Sequence, residues 1–92
     1  MPEFIMVKIT IYSKSDCHLC AIAKETLLKI RREFQFELAE IDIGKNSAAF
    51  DKYKYLIPVI ELDGEIVFTY RINEDEFKKI LKLRSQPQYK QV

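Results

Sequence analysis

Apolar and polar positions alternate strictly over residues 7–12, with Val7, Ile9 and Ile11 set against Lys8, Thr10 and Tyr12. A period of two in β-branched residues predicts a strand with one buried face. The period then changes. From Cys20 the apolar residues Ala23, Leu27, Ile30 and Phe34 recur at spacings of 3, 4, 3 and 4, which lines them along one face of a helix. Arg31 and Arg32 suit the negative C-terminal end of such a helix. Residues 36–43 read as a second strand. The alternation slips between Leu38 and Ile41, which implies either a bulge or apolar neighbours on both faces. Strand, helix and strand in this order predict a parallel pair joined by a right-handed crossover.

In the second half, Asn46 or Ser47 can cap a short helix over residues 48–54, and Pro58 opens a third strand over residues 59–62. Asp63-Gly64 between two apolar-rich segments is a strong hairpin signal, with the fourth strand over residues 65–68. Asn73 with Glu76 three residues on resembles a capping box, and Phe77, Ile80 and Leu81 supply the buried stripe of a last helix. Residues 84–92 carry no stripe and include Gln86, Pro87, Gln88 and Gln91, so a folded domain over 1–83 with a loose tail over 84–92 is expected.

Composition narrows the class. A chain of 92 residues, 48% hydrophobic and 32% charged, is sized for one soluble domain, which at this length buries roughly 60 to 65% of its unfolded surface. Its longest apolar runs have five residues, too short to cross a bilayer. The start lacks the basic region and long apolar core of an export signal, and a cytoplasmic location away from membranes is expected. Fifteen basic and 14 acidic residues leave a net charge of +1, which removes the electrostatic reason to expect a nucleic acid partner. With Gly44 and Gly64 as the only glycines there is no Gly-rich phosphate loop and no dinucleotide fingerprint. No tightly bound cofactor is expected, and electrons must come from outside the chain.

Cys17 and Cys20, separated by His18 and Leu19, fall after the first strand and at the mouth of the first helix, the context in which this spacing signals redox chemistry. Residues three apart on a helix lie about 5 to 6 Å apart, within the Cα separations a disulfide tolerates, so the pair can open and close with little backbone movement. At the helix start Cys17 faces unpaired N–H groups and the positive end of the dipole, both of which favour thiolate. Lys14 adds a positive charge. Asp16 opposes it, unless it turns outward as a solvated cap. Cys20, a turn deeper, should act second. Zinc would need four ligands where the chain has two Cys and one His, and a c-type haem would need His where Ala21 stands. His18 either favours the thiolate through its charge or is a solvated bystander. Pro58 fits the ordinary first position of a strand; a cis Ile57–Pro58 bond would instead turn the Ile57 backbone outward toward an extended substrate.

Taken together, residues 11–20 (IYSKSDCHLC), Ile57-Pro58-Val59 and Asp63-Gly64 resemble a glutaredoxin of the thioredoxin superfamily over about residues 7–83. The likeness is greatest to the short glutaredoxin-like branch, in which a Tyr-x-x-x-Ile-Pro-Val segment like residues 53–59 precedes the hairpin and one like Arg71-Ile72-Asn73 follows it. It implies an α/β thioredoxin fold: a four-stranded mixed sheet in the order 2-1-3-4, helices one and three on one face and helix two on the other, with cis Pro58 beside Cys17. It also implies a thiol-disulfide oxidoreductase in which Cys17 attacks a disulfide and Cys20 resolves the mixed disulfide. Lys14 and His18 would tune the thiolate, and Ile57, Pro58 and Arg71 would meet the substrate.

The sequence departs from typical glutaredoxins where they hold glutathione. Their Pro between the cysteines is replaced by His18, their Thr-Val before the proline by Leu56-Ile57, and their Gly-Gly-x-Asp-Asp by the region Tyr70-Arg71-Ile72-Asn73-Glu74. Tyr70 and Arg71 do not allow the close backbone approach that glycines give, and Glu74, Asp75 and Glu76 oppose an anionic tripeptide, which Arg71 offsets in part. The expectation is a monomer acting on a disulfide-containing protein or on glutathione, recharged by glutathione or an external reductase. Two other classes stay open: a dimer carrying a metal or iron-sulfur cluster, and a redox-inert interaction module.

Overall fold

The computed structural model describes residues 6–85. Its elements are β1 (Lys8–Ser13), α1 (His18–Ile30), β2 (Glu37–Asp42), a 3₁₀ turn (Ile43–Lys45), α2 (Ser47–Tyr53), β3 (Val59–Leu62), β4 (Glu65–Thr69) and α3 (Glu74–Ser85). The sheet order is β2-β1-β3-β4. β1 pairs in parallel with β2 from Lys8 opposite Glu37 to Ser13 opposite Asp42, and antiparallel with β3 from Ile9 opposite Leu62 to Tyr12 opposite Val59.

The period of two in β1 decides which layer each side chain joins. Val7, Ile9 and Ile11 are buried together with Ile60 and Leu62 against Ala23, Leu27 and Ile30 of α1 and Phe77 and Leu81 of α3. The Phe77 ring meets Phe36 and Phe68 edge-on, at centroid distances of 6.2 and 5.8 Å. Tyr12 and Glu61, one residue out of phase with Ile11 and Ile60, point to the other face and meet Tyr53 of α2. Helices α1 and α3 thus share one face of the sheet and α2 holds the other, the expected four-stranded mixed arrangement.

The pairing of β1 with β2 runs without a break over all six residues, so no bulge explains the slipped alternation in β2. Leu38 packs against the main core and Ile41, an odd number of residues on, is half-buried on the opposite face. The sheet's register shift lies instead between β3 and β4, where Ile60 and Glu61 face Phe68 and Ile66 and leave Val67 as the extra residue. At the hairpin, Asp63 (φ 50°) and Gly64 (φ 90°) form the turn that the Asp-Gly pair predicts. The Asp63 N–H donates to the Lys8 carbonyl at 2.8 Å and its carboxylate accepts from the Lys8 N–H at 2.9 Å, which ties the hairpin to β1.

Helix ends follow their side chains. Asn46 rather than Ser47 caps α2, accepting from the Ala49 N–H at 3.0 Å, and Asn73 caps α3, accepting from the Glu76 N–H at 3.0 Å. The first helix stops at Ile30, and Phe34 reaches the core through a turn in which the Glu33 and Phe34 N–H groups donate to the Ile30 carbonyl. Arg31 donates from Nε to the Phe36 carbonyl at 3.2 Å, holding the reversal into β2. Helix α3 runs past residue 83 through Ser85, and Arg84 pairs with Asp63 and Glu65. Residues 1–5 and 86–92 lie outside the described residues, and most of the segment expected as a tail is among them. Among the described residues, no helix is long and apolar enough to cross a membrane.

Candidate redox site

The parallel pairing of β1 with β2 requires the chain to cross over after Ser13, and the four residues of that connection deliver Cys17 to the start of α1. Cys17 is the N-cap, with extended backbone angles (φ −99°, ψ 110°). Its N–H donates to the Lys14 carbonyl at 3.2 Å, and its Sγ accepts from the Cys20 N–H at 3.1 Å. A cysteine thus fills the role that Ser or Asp usually plays, and its sulfur sits on one of the unpaired amides at the positive end of the helix. Cys20 is one turn deeper and 3% exposed, whereas Cys17 is half-exposed. The two sulfurs are joined as a disulfide with Cα atoms 5.2 Å apart.

Asp16, expected as an outward cap, leaves the capping to Cys17 and pairs with the Lys14 ammonium at 3.5 Å. Lys14 lines a cavity of about 270 Å³ with both cysteines, Ser13, Lys24, Glu40 and Asp42. Sequence reasoning missed the last four. Ser13, 5% exposed, donates from Oγ to Glu40 Oε2 at 3.1 Å, and Lys24 Nζ lies 2.8 Å from Glu40 Oε1. The hydrogen bond from Lys24 is the main cause that holds the Glu40 carboxyl below its ordinary range, against a smaller opposing effect of burial. A signal was present: Glu40 and Asp42 are the acidic interruptions in an otherwise apolar β2 end.

The other predicted residues lie elsewhere around the dithiol. His18 is the exposed first residue of α1 and lines neither cavity beside the pair. The Ile57–Pro58 bond is cis, Pro58 is buried, and its carbonyl accepts from the Tyr70 N–H at 2.9 Å. Among the described residues, no backbone hydrogen bond uses the N–H or carbonyl of half-buried Ile57. Because Val59 pairs with Tyr12, the residues just before it lie level with the end of β1, where the connection to Cys17 begins. Arg71 lies on the opposite flank of α1 from Lys14, in a groove of about 230 Å³ with Leu19, Ile22, Ala23, Thr26, Tyr70 and Ile72. Tyr70 has a positive φ of 67°, and its hydroxyl donates to the Tyr55 carbonyl at 2.9 Å. The structure therefore gathers Lys14, Cys17 and Cys20 about one cavity and places Arg71 in a second, with Leu19 on the helix between them.

Behind the sheet lies a second unforeseen group. Glu61 accepts from the Tyr53 hydroxyl at 2.7 Å and the Tyr12 hydroxyl at 3.3 Å, with the two rings 4.7 Å apart. Burial and the adjacent carboxylate push the Tyr53 phenol up to about 12 and raise that of Tyr12.

Comparison with known proteins agrees with this geometry. The family model of the Glutaredoxin-like domain (DUF836) matches residues 8–82. A curated glutaredoxin-like protein of Dictyostelium discoideum is 36% identical over 80 residues, covering 80% of this chain and 74% of that protein. Among solved structures, a Nitrosomonas europaea protein superposes with a TM-score of 0.75 at 23% identity over 88% of this chain and 98% of its own. Fasciola hepatica thioredoxin superposes with a TM-score of 0.61 at 20% identity, over 87% and 82%. These two share the thioredoxin fold. With an N-cap cysteine bonded to a buried partner one turn on, in this sheet order and under that family match, the chain belongs to the glutaredoxin-like domain family.

Proposed function

We propose that the protein is a thiol-disulfide oxidoreductase that reduces disulfides in the cytoplasm as a monomer. The observation that carries this reading is the position of Cys17 as the N-cap of α1, its sulfur accepting the Cys20 N–H and bonded to the Cys20 sulfur. In the reduced protein, the same N–H and the helix dipole stabilise a Cys17 thiolate, the form that attacks disulfides. Cys17 displaces one thiolate from the substrate and forms a mixed disulfide. Cys20, once deprotonated, attacks Cys17 Sγ and releases the second thiolate, so two electrons pass to the substrate and the protein is left as the disulfide. Glutathione or an external reductase returns those electrons. Lys14 favours the thiolate from the cavity side, and the Ile57 backbone, which makes no backbone hydrogen bond among the described residues, offers hydrogen bonds to an extended substrate. His18, one residue from the nucleophile, adds a titratable charge.

Trapping tests the order of the thiols. After incubation with oxidised glutathione, mass spectrometry of Cys20→Ser should show an adduct on Cys17, and Cys17→Ser should carry none. An adduct on Cys20 in the second variant, with none on Cys17 in the first, would reverse the assignment.

A further inference from the structure

We infer that Lys24 is the counter-ion of the Cys20 thiolate in the resolving step, and that Glu40 holds the Lys24 ammonium beside the dithiol while limiting its pull. The inference deepens the proposed function and rests on it, because only a chain that resolves a mixed disulfide has to ionise Cys20. Of the two cysteines, Cys20 has the harder electrostatic setting. Cys17 lies at the helix start with an amide on its sulfur, and that amide is the N–H of Cys20 itself. Cys20 is 3% exposed, and burial away from water disfavours its charged form. Lys24 follows Cys20 by four residues in α1, so the two stand one above the other on the same face of the helix. A long side chain in a helix leans toward the turn on its N-terminal side, which for Lys24 is the turn that begins at Cys20. Both residues line the cavity of about 270 Å³ beside the dithiol, and Glu40 lines it from β2.

The other charges of the lining are engaged away from Cys20. Lys14, in the connection before Cys17, pairs with Asp16 at 3.5 Å, and Asp42 accepts the Gly44 N–H at 2.8 Å. Glu40 could enter the step in a different way, by taking the Cys20 proton. Its surroundings speak against that. The Lys24 ammonium at 2.8 Å and the Ser13 hydroxyl at 3.1 Å both stabilise the carboxylate over the acid and hold it below its ordinary 4.5. A carboxylate so held is a poor acceptor for a thiol of ordinary pKa near ~8.5, and its negative charge opposes a thiolate beside it. The Cys20 proton instead leaves to water at the cavity mouth, where the side chains of Lys24 and Glu40 are 47% and 42% exposed. The thiolate, faced by Lys24, then attacks Cys17 Sγ: the bond between the two protein sulfurs forms, the bond from Cys17 to the substrate sulfur breaks, and the substrate leaves as thiolate with the electron pair.

The test follows the two sulfurs in one trace. Dithiodipyridine, an uncharged disulfide, releases one chromophoric thione when Cys17 attacks it and a second when Cys20 resolves the adduct. Stopped flow then gives both rates against pH for the reduced parent, Lys24→Gln, Lys24→Arg and Glu40→Gln. In the second phase, Lys24→Gln should move the pH midpoint up, and Glu40→Gln, which frees the ammonium, should move it down. Each shift should equal about a two- to fivefold change in the thiolate fraction below the midpoint, the range for a partly exposed ion pair, and should shrink in high salt. Lys24→Arg should keep the parent midpoint, and the first phase should move less than the second. Thiolate absorbance of Cys20 in the Cys17→Ser background should show the same two shifts. Midpoints unmoved in every variant would leave the pair as a strap between α1 and β2. Slower resolution in Glu40→Gln with the midpoint moved up would make Glu40 the proton acceptor, and equal shifts in both phases would assign Lys24 to Cys17; each of these overturns the inference while the redox reading stands. A first release with no second overturns the redox reading itself, and the counter-ion with it.

Discussion

At the scale of single residues, the Cys17 sulfur is set by the Cys20 amide at the helix start, 3.1 Å away, and by the charges of the connection that precedes it. The spacing of Cys17 and Cys20 after a strand is local information, and so is the helix start that places a sulfur on an amide. Lys14 reads as a cation near the nucleophile, but its ammonium lies 3.5 Å from Asp16, which offsets much of its effect. Removing that carboxylate should therefore strengthen Lys14. In the Cys20→Ser background, the Cys17 thiol should titrate below the ordinary thiol range, and Asp16→Asn should lower it further. Both charged side chains are substantially exposed, so the added effect should be clear in low salt and fade as salt is raised. Thiolate absorbance against pH reads it directly. A Cys17 that titrates like a free thiol would remove the basis for catalysis, and an Asp16→Asn curve unmoved in low salt would show that Lys14 acts on Asp16 alone.

At the scale of elements, patterns confined to a few residues read well and those that depend on register did not. The alternation of β1, the stripe of α1, both Asn caps and the Asp-Gly turn each rest on neighbours in sequence. The extra residue at Val67 depends on how β4 pairs with β3, and the Glu40 and Glu61 groups join residues from strands and helices that only the finished sheet brings together. The turn gives a sharp test of the local kind. A Cβ on Gly64 would meet nothing within 4 Å, so substitution there has no steric cost, yet its φ of +90° is strained for any residue with a Cβ. Gly64→Ala should destabilise the fold by about 1 to 2 kcal/mol through the backbone alone, seen as a lower urea midpoint with an unchanged slope. A variant as stable as the parent would mean that the hairpin relaxes to another turn and that Asp63 does not fix its geometry.

For the whole molecule, the two polar groups on either side of the site act as clamps with opposite pH limits. On the β2 side, Glu40 is held below its ordinary value of 4.5 by Lys24 and Ser13, so the carboxylate favours the folded chain above that pH, and the contribution is lost as pH falls through the lower folded value. On the α2 side, the phenol of Tyr53 is raised from 10.0 to about 12 and that of Tyr12 is raised as well, so these groups favour folding while neutral. That contribution is full below 10.0 and is lost as pH climbs toward about 12, because ionisation would set a phenolate against the Glu61 carboxylate. The two clamps differ in weight. Lys24 and Glu40 are 47% and 42% exposed at their side chains, so water and salt weaken that pair, whereas Tyr53 is 3% exposed and joins α2 to β3. Tyr53→Phe should cost about 1.5 to 3 kcal/mol at neutral pH, the range for a hydrogen bond to a charged group, and the parent's advantage should shrink between pH 10 and 11.5. Glu40→Gln should cost less, with an advantage that shrinks below pH 4.5 and diminishes in high salt. Urea unfolding of the three proteins from pH 3 to 11.5 measures both limits. A Tyr53→Phe deficit that stays constant across the alkaline range would show that folding does not hold the proton on the Tyr53 hydroxyl against Glu61.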